Sequence, residues 1–414
     1  MAKTWIAVAG DTEEIYRSVD DGANWVLAFT APASSYGFTS SLATDEAGVW
    51  CVGDLASNIW RSDDDGITWA IVQNTGAGEI KGMATDRAGV WCAADDYGQL
   101  YRSTDNGVTW AYIVPQYGAY RTRMATDRAG VWCAEGNADG SIYRSSNNGA
   151  SWALTATLND GTARLAWSIA TNGSGIWCAG CYPGGQIWRS TNNGVDWSLI
   201  YDSPEAAFYA IASDGGVVWC AGAGSATLYR SSDSGINWTP NLDMYSEYGI
   251  YSLATDRANV WCAGTGDNGK IFRSIDNGAN WTLAYTCPTA ARIVSIAAGG
   301  IGPATIKLLS LKPTQDRSDY VTRVYPRASG ISLAVTTRVA SGNYALDAAA
   351  GYIVNTAAEA LYGRRERPVT FTLDLPTGRD TDDESKVLAA NALYDKGLEG
   401  LVNTTVFRPT IPPK

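Results

Sequence analysis

The octapeptide STDNGVTW, residues 103–110, decides the fold because it does not stand alone. Variants of it read SVDDGANW (18–25), SDDDGITW (62–69), SSNNGASW (145–152), STNNGVDW (190–197), SSDSGINW (231–238) and SIDNGANW (274–281). Their closing tryptophans are 44, 41, 42, 45, 41 and 43 residues apart. An aromatic-or-aliphatic pair followed by arginine precedes the copies, as in Ile15-Tyr16-Arg17 and Ile59-Trp60-Arg61. A second element keeps the same phase: ATDEAGVWC (43–51), ATDRAGVWC (84–92 and 125–133), ATNGSGIWC (170–178), ASDGGVVWC (212–220) and ATDRANVWC (254–262).

Each repeat reads as four short strands divided by turn residues, in one instance near 82–86, 90–94, 100–103 and 109–113. Four strands in 40–45 residues is the period of a β-propeller blade, and seven copies predict seven blades. The first copy has strands near 5–9, 15–18 and 24–29 but lacks the innermost one, whereas the last is followed by Ile293-Val294-Ser295-Ile296-Ala297-Ala298, which has that pattern. The segment 293–298 is therefore expected to complete the first blade, leaving no open edge.

The turn chemistry explains the octapeptide without a ligand. Gly22 and its equivalents supply a positive-φ position. Asp20, Asp64, Asp105, Asn147, Asn192, Asp233 and Asp276 are short acceptors suited to the amides of their own turn. Asp63-Asp64-Asp65-Gly66 is superficially a calcium loop, but nothing supplies the bidentate glutamate, so no metal is expected. Cys51, Cys92, Cys133, Cys178, Cys220 and Cys262 share one blade position, too far apart to be bridged, and read as small buried thiols; Cys181 and Cys287 stand outside the pattern.

Composition divides the chain. All 17 Trp and all 8 Cys lie before about residue 303. Residues 304–414 carry 14 Lys+Arg and 12 Asp+Glu, a net of +2, which leaves 17 and 30, a net of −13, for the remainder. Two domains are expected, 1–303 and 304–414, joined near Gly299–Pro303. The second reads as α+β: strands over 305–311, 320–325, 331–339 and 368–375, a helix over 343–361, and a last helix that begins at Thr381 and ends at Lys396-Gly397.

The absence of histidine excludes Ser-His-Asp and Cys-His machinery and imidazole-ligated zinc. A net charge of −11 argues against nucleic acid as a partner of the propeller. The N-terminus MAKTWIAVAGDTEE is not a signal peptide and no apolar run is long enough to cross a bilayer, so neither export nor membrane insertion is expected.

The in-phase SxDxGxxW element resembles the Asp-box, or BNR, repeat of sialidases, sortilin-type receptors, xyloglucan hydrolases and the photosystem II assembly-factor propeller. That resemblance implies a propeller and leaves the activity open. Sialidases carry an arginine triad, an Arg-Ile-Pro-like motif and six blades, whereas this chain has no such motif and seven copies. Xyloglucan hydrolases set a carboxylate pair between two propellers, and one propeller is present here. Asp54, Asp95, Asp96, Glu135, Asp139, Asp202 and Glu205 are the carboxylates from which a glycosidase pair could be drawn.

Turns at one end of the blades are uniform, and loops at the other end vary and are rich in tyrosine. Tyr36, Tyr97, Tyr117, Tyr120, Tyr182, Tyr209, Tyr245 and Tyr248 are the expected ligand-binding residues, for a glycan or a cell-surface protein. Arg87, Arg128 and Arg257 sit together on the uniform side in three repeats; they resemble an arginine patch of the assembly-factor propellers, but the simpler reading is solvated turn residues. The segment PVTFTLDL with the acidic helix start after it resembles the last strand and first helix of single-stranded RNA phage coat proteins, which implies self-association or contact with virion proteins through 304–414. The expectation is a non-enzymatic bacteriophage virion protein, made in the host cytoplasm, with no cofactor and no catalytic residues. A sialidase-like or other Asp-box glycoside hydrolase and a cytoplasmic assembly-factor or scaffold propeller are the alternatives.

Overall fold

The computed structural model describes residues 2–299, apart from 11, 33–36, 40, 77, 114–122, 137–139, 162–164, 244–247, 267 and 290–291, and beyond them only five short strands. Residues Ala2–Ile301 form one compact unit and Gly302–Lys414 a second.

The first unit is a ring of seven four-stranded antiparallel sheets. Blade 1 is built from Ile293–Ala298, Trp5–Ala9, Glu14–Ser18 and Val26–Thr30. Blades 2 to 7 follow in chain order, spanning 43–74, 80–113, 124–157, 165–202, 208–243 and 250–286. The chain closes on itself as the sequence predicts: Ile293–Ala298 pairs antiparallel with Trp5–Ala9, with Trp5 opposite Ala298 and Ala7 opposite Ile296. This is a seven-bladed β-propeller.

The repeats fold alike because each blade solves the same two problems. The first is a tight turn before the outer strand. Ser103 Oγ donates to Asp105 Oδ1 (2.7 Å) and accepts from Gly107 N (2.9 Å), Asp105 Oδ1 accepts from Thr109 N (2.9 Å), and Trp110 Nε1 donates to the Gly107 carbonyl (3.1 Å). Ser18 and Asp20 make the corresponding bonds in blade 1, as do Ser274 and Asp276 in blade 7. The polar groups of the turn are satisfied locally, so the turn forms without a ligand.

The second problem is packing one blade on the next. Trp5, Trp50, Trp91, Trp132, Trp177, Trp219 and Trp261 are fully buried between blades. Each repeated cysteine lies against the turn glycine of the following blade. A Cβ on Gly149 would come 2.5 Å from Cys92 Sγ, one on Gly194 2.5 Å from Cys133 Sγ, and one on Gly22 2.6 Å from Cys262 Sγ. In blade 1 Ile6 takes the thiol's place against Gly66, so the constant requirement is a glycine without a side chain facing a compact apolar group. Burial pushes the Cys92 and Cys133 thiols up to about 12, so these groups are packing material rather than nucleophiles.

An arginine clamp completes each joint. The third-strand arginines 17, 61, 102, 144, 189, 230 and 273 each donate Nε to a carbonyl in the next blade's turn, that of Asp65, Asn106, Asn148, Asn193, Ser234, Asn277 and Asp21, at 2.7–3.1 Å.

In the second unit Ala304–Ile306 pairs with Phe371–Leu373, and Tyr352–Asn355 lies between Arg323–Val324 and Tyr344–Asp347. Here the sequence reading is corrected. The helix expected over 343–361 is replaced by the hairpin Tyr344–Asp347 and Tyr352–Asn355. The alanines between these strands favour helix, but Tyr352-Ile353-Val354 favours an extended strand, and the pairing of the two segments prevails. The strands expected at 305–311, 320–325 and 368–375 each coincide with a shorter observed one. The strand expected at 331–339 and the helix after Thr381 lie outside the described residues. No helix occurs among the described residues, and so none long and apolar enough to cross a membrane.

Candidate functional site

The inner strands of all seven blades wall an axial channel. Met83, Ile169, Ile211 and Ile296 line both of its chambers and so form its waist. One chamber opens on the face of the variable loops, the other on the face of the short turns.

The variable-face chamber, about 220 Å3, is shaped by bulges. In blades 5, 6 and 7 the inner-strand register skips one residue, between Ala166 and Ser168, Phe208 and Ala210, and Ile250 and Ser252. The skipped residues are Trp167, Tyr209 and Tyr251, and all three line the chamber. A bulged residue gives up its place in the ladder and its side chain is re-aimed, here into the channel mouth. Their rings form a continuous row: Trp167 to Tyr209 centroids are 5.4 Å apart and Tyr209 to Tyr251 4.7 Å. Tyr182, from the second strand of blade 5, joins it at 5.0 Å from Trp167 and 6.4 Å from Tyr209. These are the distances of attractive edge and tilted ring pairs, so the row is a preformed platform.

Of the tyrosines singled out by sequence, Tyr182 and Tyr209 belong to this row. Tyr97 and Tyr248 stand apart on the same face and are 64% and 75% exposed. Tyr36, Tyr117, Tyr120 and Tyr245 lie outside the described residues. Trp167 and Tyr251 were missed. Their signal is an in-phase one: aligned on the inner strand, blades 5 to 7 carry Trp, Tyr and Tyr where blade 3 carries Lys81.

The carboxylates on this side are largely committed to structure. Asp54 is buried; its Oδ1 accepts from Ala56 N and Asn58 N (2.9 and 2.8 Å) and its Oδ2 from Asn58 Nδ2 and Trp60 Nε1 (2.8 and 2.7 Å). Asp95 Oδ1 accepts from Tyr97 N and Gln99 N (3.0 and 2.8 Å), Glu135 Oε1 from Arg123 N (3.0 Å), and Glu205 Oε1 from the Tyr229 hydroxyl (3.0 Å). Asp96 has one buried oxygen without a hydrogen bond, and burial together with Glu79 raises its pKa. Asp202 is exposed at the end of its strand, and Asp139 lies outside the described residues. Among the described residues no group of His, Cys, Asp and Glu could hold a metal ion.

On the other face Arg87 and Arg128 are half-buried and Arg257 is exposed, each at a turn position of positive φ. All three line the mouth of the turn-face chamber together with Glu46, although the arginines belong to blades 3, 4 and 7 and the glutamate to blade 2. Arg87 is ion-paired with Glu46. Repeat phase places the arginines on one face, and the channel brings them together across its mouth.

The fold has solved counterparts. The GH74 xyloglucanase of Xanthomonas campestris matches with a TM-score of 0.54 and 19% identity, over 74% of this chain and 54% of that one. The chain thus spans about half the length of that enzyme. YCF48 bound to D1 peptide matches with a TM-score of 0.48 and 15% identity over 67% and 85% of the two chains, and the nidogen/laminin complex with 0.47 and 10% over 72% and 98%. No family model matches the chain, and no curated protein matches it. At these identities the likeness establishes the propeller and nothing finer.

Proposed function

We propose that this chain is a non-enzymatic recognition protein whose variable face binds a glycan or protein on a host cell surface, and that residues 304–414 assemble it into, or anchor it on, a bacteriophage virion. The observation that carries the binding reading is the row Tyr182–Trp167–Tyr209–Tyr251 across three blades. Aromatic rings held in place by bulges present apolar faces and hydroxyls at little entropic cost, which suits sugar faces and protein side chains alike.

Two features favour this reading. Asp54, Asp95, Glu135 and Glu205 spend oxygens on turn amides and on indole, amide and phenol donors of the protein itself. A retaining or inverting pair needs two carboxyl groups free to face the sugar, so this commitment favours binding over hydrolysis. The virion reading is supported by the change in composition near residue 303, where tryptophan and cysteine stop and the charge balance reverses.

The test combines two measurements on the full-length chain. Glycan arrays with the wild type and Trp167→Ala report on the face; binding lost in the variant supports the reading, and hydrolysis of any bound glycan overturns it. Light scattering with negative-stain microscopy reports on assembly; a monodisperse monomer removes the virion role.

A further inference from the structure

The turn-face chamber is not used by recognition on the opposite face. It has a volume of about 240 Å3 and is walled by inner-strand alanines, threonines and isoleucines from every blade. Its rim is set by the residue that follows the Asp or Asn of each first turn. That residue is Glu46, Arg87, Arg128, Gly173, Gly215 or Arg257, and in every case its φ is positive: 60°, 65°, 64°, 77°, 89° and 63°.

This conformation is a glycine position. A side chain held there costs roughly 1–2 kcal/mol that glycine does not. Blades 5 and 6 take the glycine solution, and blades 3, 4 and 7 carry arginine instead. Turn geometry therefore does not account for the arginines; what they share is the chamber.

Arg87 is ion-paired with Glu46, but neither Arg128 nor Arg257 has an ion pair among the described residues. Three cations and one anion line the mouth, and Asp45 and Asp214 act on Arg87 and Arg257 from outside the lining. Burial, and then the neighbouring arginines 257 and 87, push Arg128 down to about 9, so it remains protonated at neutral pH. The threonine hydroxyls beneath are already spent: Thr44, Thr85, Thr126 and Thr171 donate to the carbonyls of Val49, Val90, Val131 and Ile176. The Ser213 and Thr255 oxygens accept from the Gly215 and Arg257 amides, so the charged donors that face a ligand are the guanidinium forks.

We propose that the turn-face mouth of the channel is a seat for a phosphate-class dianion, held by Arg128 and Arg257 with Arg87 beside them. Guanidinium pairs with tetrahedral oxyanions through two parallel hydrogen bonds, and three converging guanidinium groups can share the oxygens of one dianion. The same chemistry is offered by inorganic phosphate and by the head of a phosphomonoester, and the open mouth admits both.

The test is calorimetric titration of the full-length chain, at constant ionic strength, with inorganic phosphate in one arm and glucose 6-phosphate in the other. Saturable binding of phosphate alone assigns a free ion, and binding of both assigns a seat open to larger esters. The variant carrying Arg128→Gly and Arg257→Gly reproduces the residue of blades 5 and 6, so it keeps the turns. It is expected to weaken binding at least about tenfold, the loss of one strong charge-assisted contact. Glu46→Gln, which releases Arg87, is expected to tighten it. Absence of saturable binding in both arms overturns the proposal, as does unchanged affinity in the glycine variant.

Discussion

Arg273 donates Nε to the backbone carbonyl of Asp21 at 2.7 Å, joining blade 7 to blade 1 across 252 positions of sequence. The same bond joins every other pair of neighbouring blades. In this bond the seam matches the six joints between consecutive blades, although one side of it is the beginning of the ring and the other its end. Arg273→Ala and Arg144→Ala are therefore expected to destabilise by similar amounts, about 1.5–3 kcal/mol for a charged hydrogen bond. Denaturant melts of the two variants check this; a seam variant far worse than its internal counterpart would show the closing joint to be the weak one.

The thiol–glycine contact predicts a substitution that fails for two reasons. Gly149 has φ 75°, and a Cβ there would come 2.5 Å from Cys92 Sγ. Gly149→Ala is expected to cost about 2–4 kcal/mol, combining backbone strain with overpacking. Adding Cys92→Ala should return the steric part and leave the backbone part. A double-mutant cycle with no coupling between the two sites would sink this account.

Two of the seven buried indoles, Trp5 in blade 1 and Trp219 in blade 6, have no partner for Nε1. In blades 3, 4, 5 and 7 an asparagine accepts from the buried tryptophan and donates to the preceding blade: Asn148 Oδ1 accepts from Trp132 Nε1 (2.8 Å) while its Nδ2 donates to Asp86 Oδ2 (2.8 Å). Blade 6 has Ser234 at this place, and Trp219 Nε1 is buried without a partner. Ser234→Asn is expected to stabilise by about 1 kcal/mol, since it supplies the acceptor and favours the φ of 65° found there. Thermal unfolding measures it.

Acid should loosen the turns in a defined window. The Thr109 side chain, then its amide, hold Asp105 down at about 2, and Asn280 does the same for Asp276. A carboxylate whose folded pKa lies below its unfolded value of about 3.9 contributes stability above that value and loses it as pH falls toward 2. Melting temperature is expected to fall between about pH 4 and 2. Asp105→Asn, which copies Asn147 and Asn192 of blades 4 and 5, should make that decline shallower; an unchanged decline would show that other carboxylates carry it.

The aromatic row predicts how binding divides among residues. Tyr209 touches both Trp167 and Tyr251, whereas Tyr97 stands outside the row. Tyr209→Ala is expected to weaken ligand binding about three- to tenfold, the worth of ring contacts of about 0.5–1.5 kcal/mol, and Tyr97→Ala much less. Surface plasmon resonance on a ligand found by array screening separates the two, and equal effects would dissolve the platform into scattered contacts.

The ring was legible because its information is local and repeated. Ser18, Asp20, Gly22 and Trp25 define one turn, and six more copies fix the number of blades and the phase of every strand. The closing strand 293–298 was legible as the missing member of a set. The site was less so. Tyr182 and Tyr209 lie in loops and strand ends that stand out as tyrosine-rich, but Trp167 and Tyr251 owe their position to bulges, which a two-residue alternation does not mark. Repeat phase put Arg87, Arg128 and Arg257 on one face, but not their shared place with Glu46 at the channel mouth, which depends on the width of the ring. At 343–361 alanine content outweighed the shorter strand signals at its ends, and the reading went to the wrong element.

The pairing of Trp5–Ala9 with Ile293–Ala298 also sets a timetable. The first strand leaves the ribosome nearly 290 residues before its partner, an interval of roughly 15–60 s at ordinary rates of translation. Throughout that wait one edge of blade 1 has no neighbour, while blades 2 to 7 mature in order behind it. The protein thus passes through a nascent open arc that can recruit a strand from a second copy, and a chaperone that shields Trp5–Ala9 during synthesis would act on the one edge the finished ring does not possess.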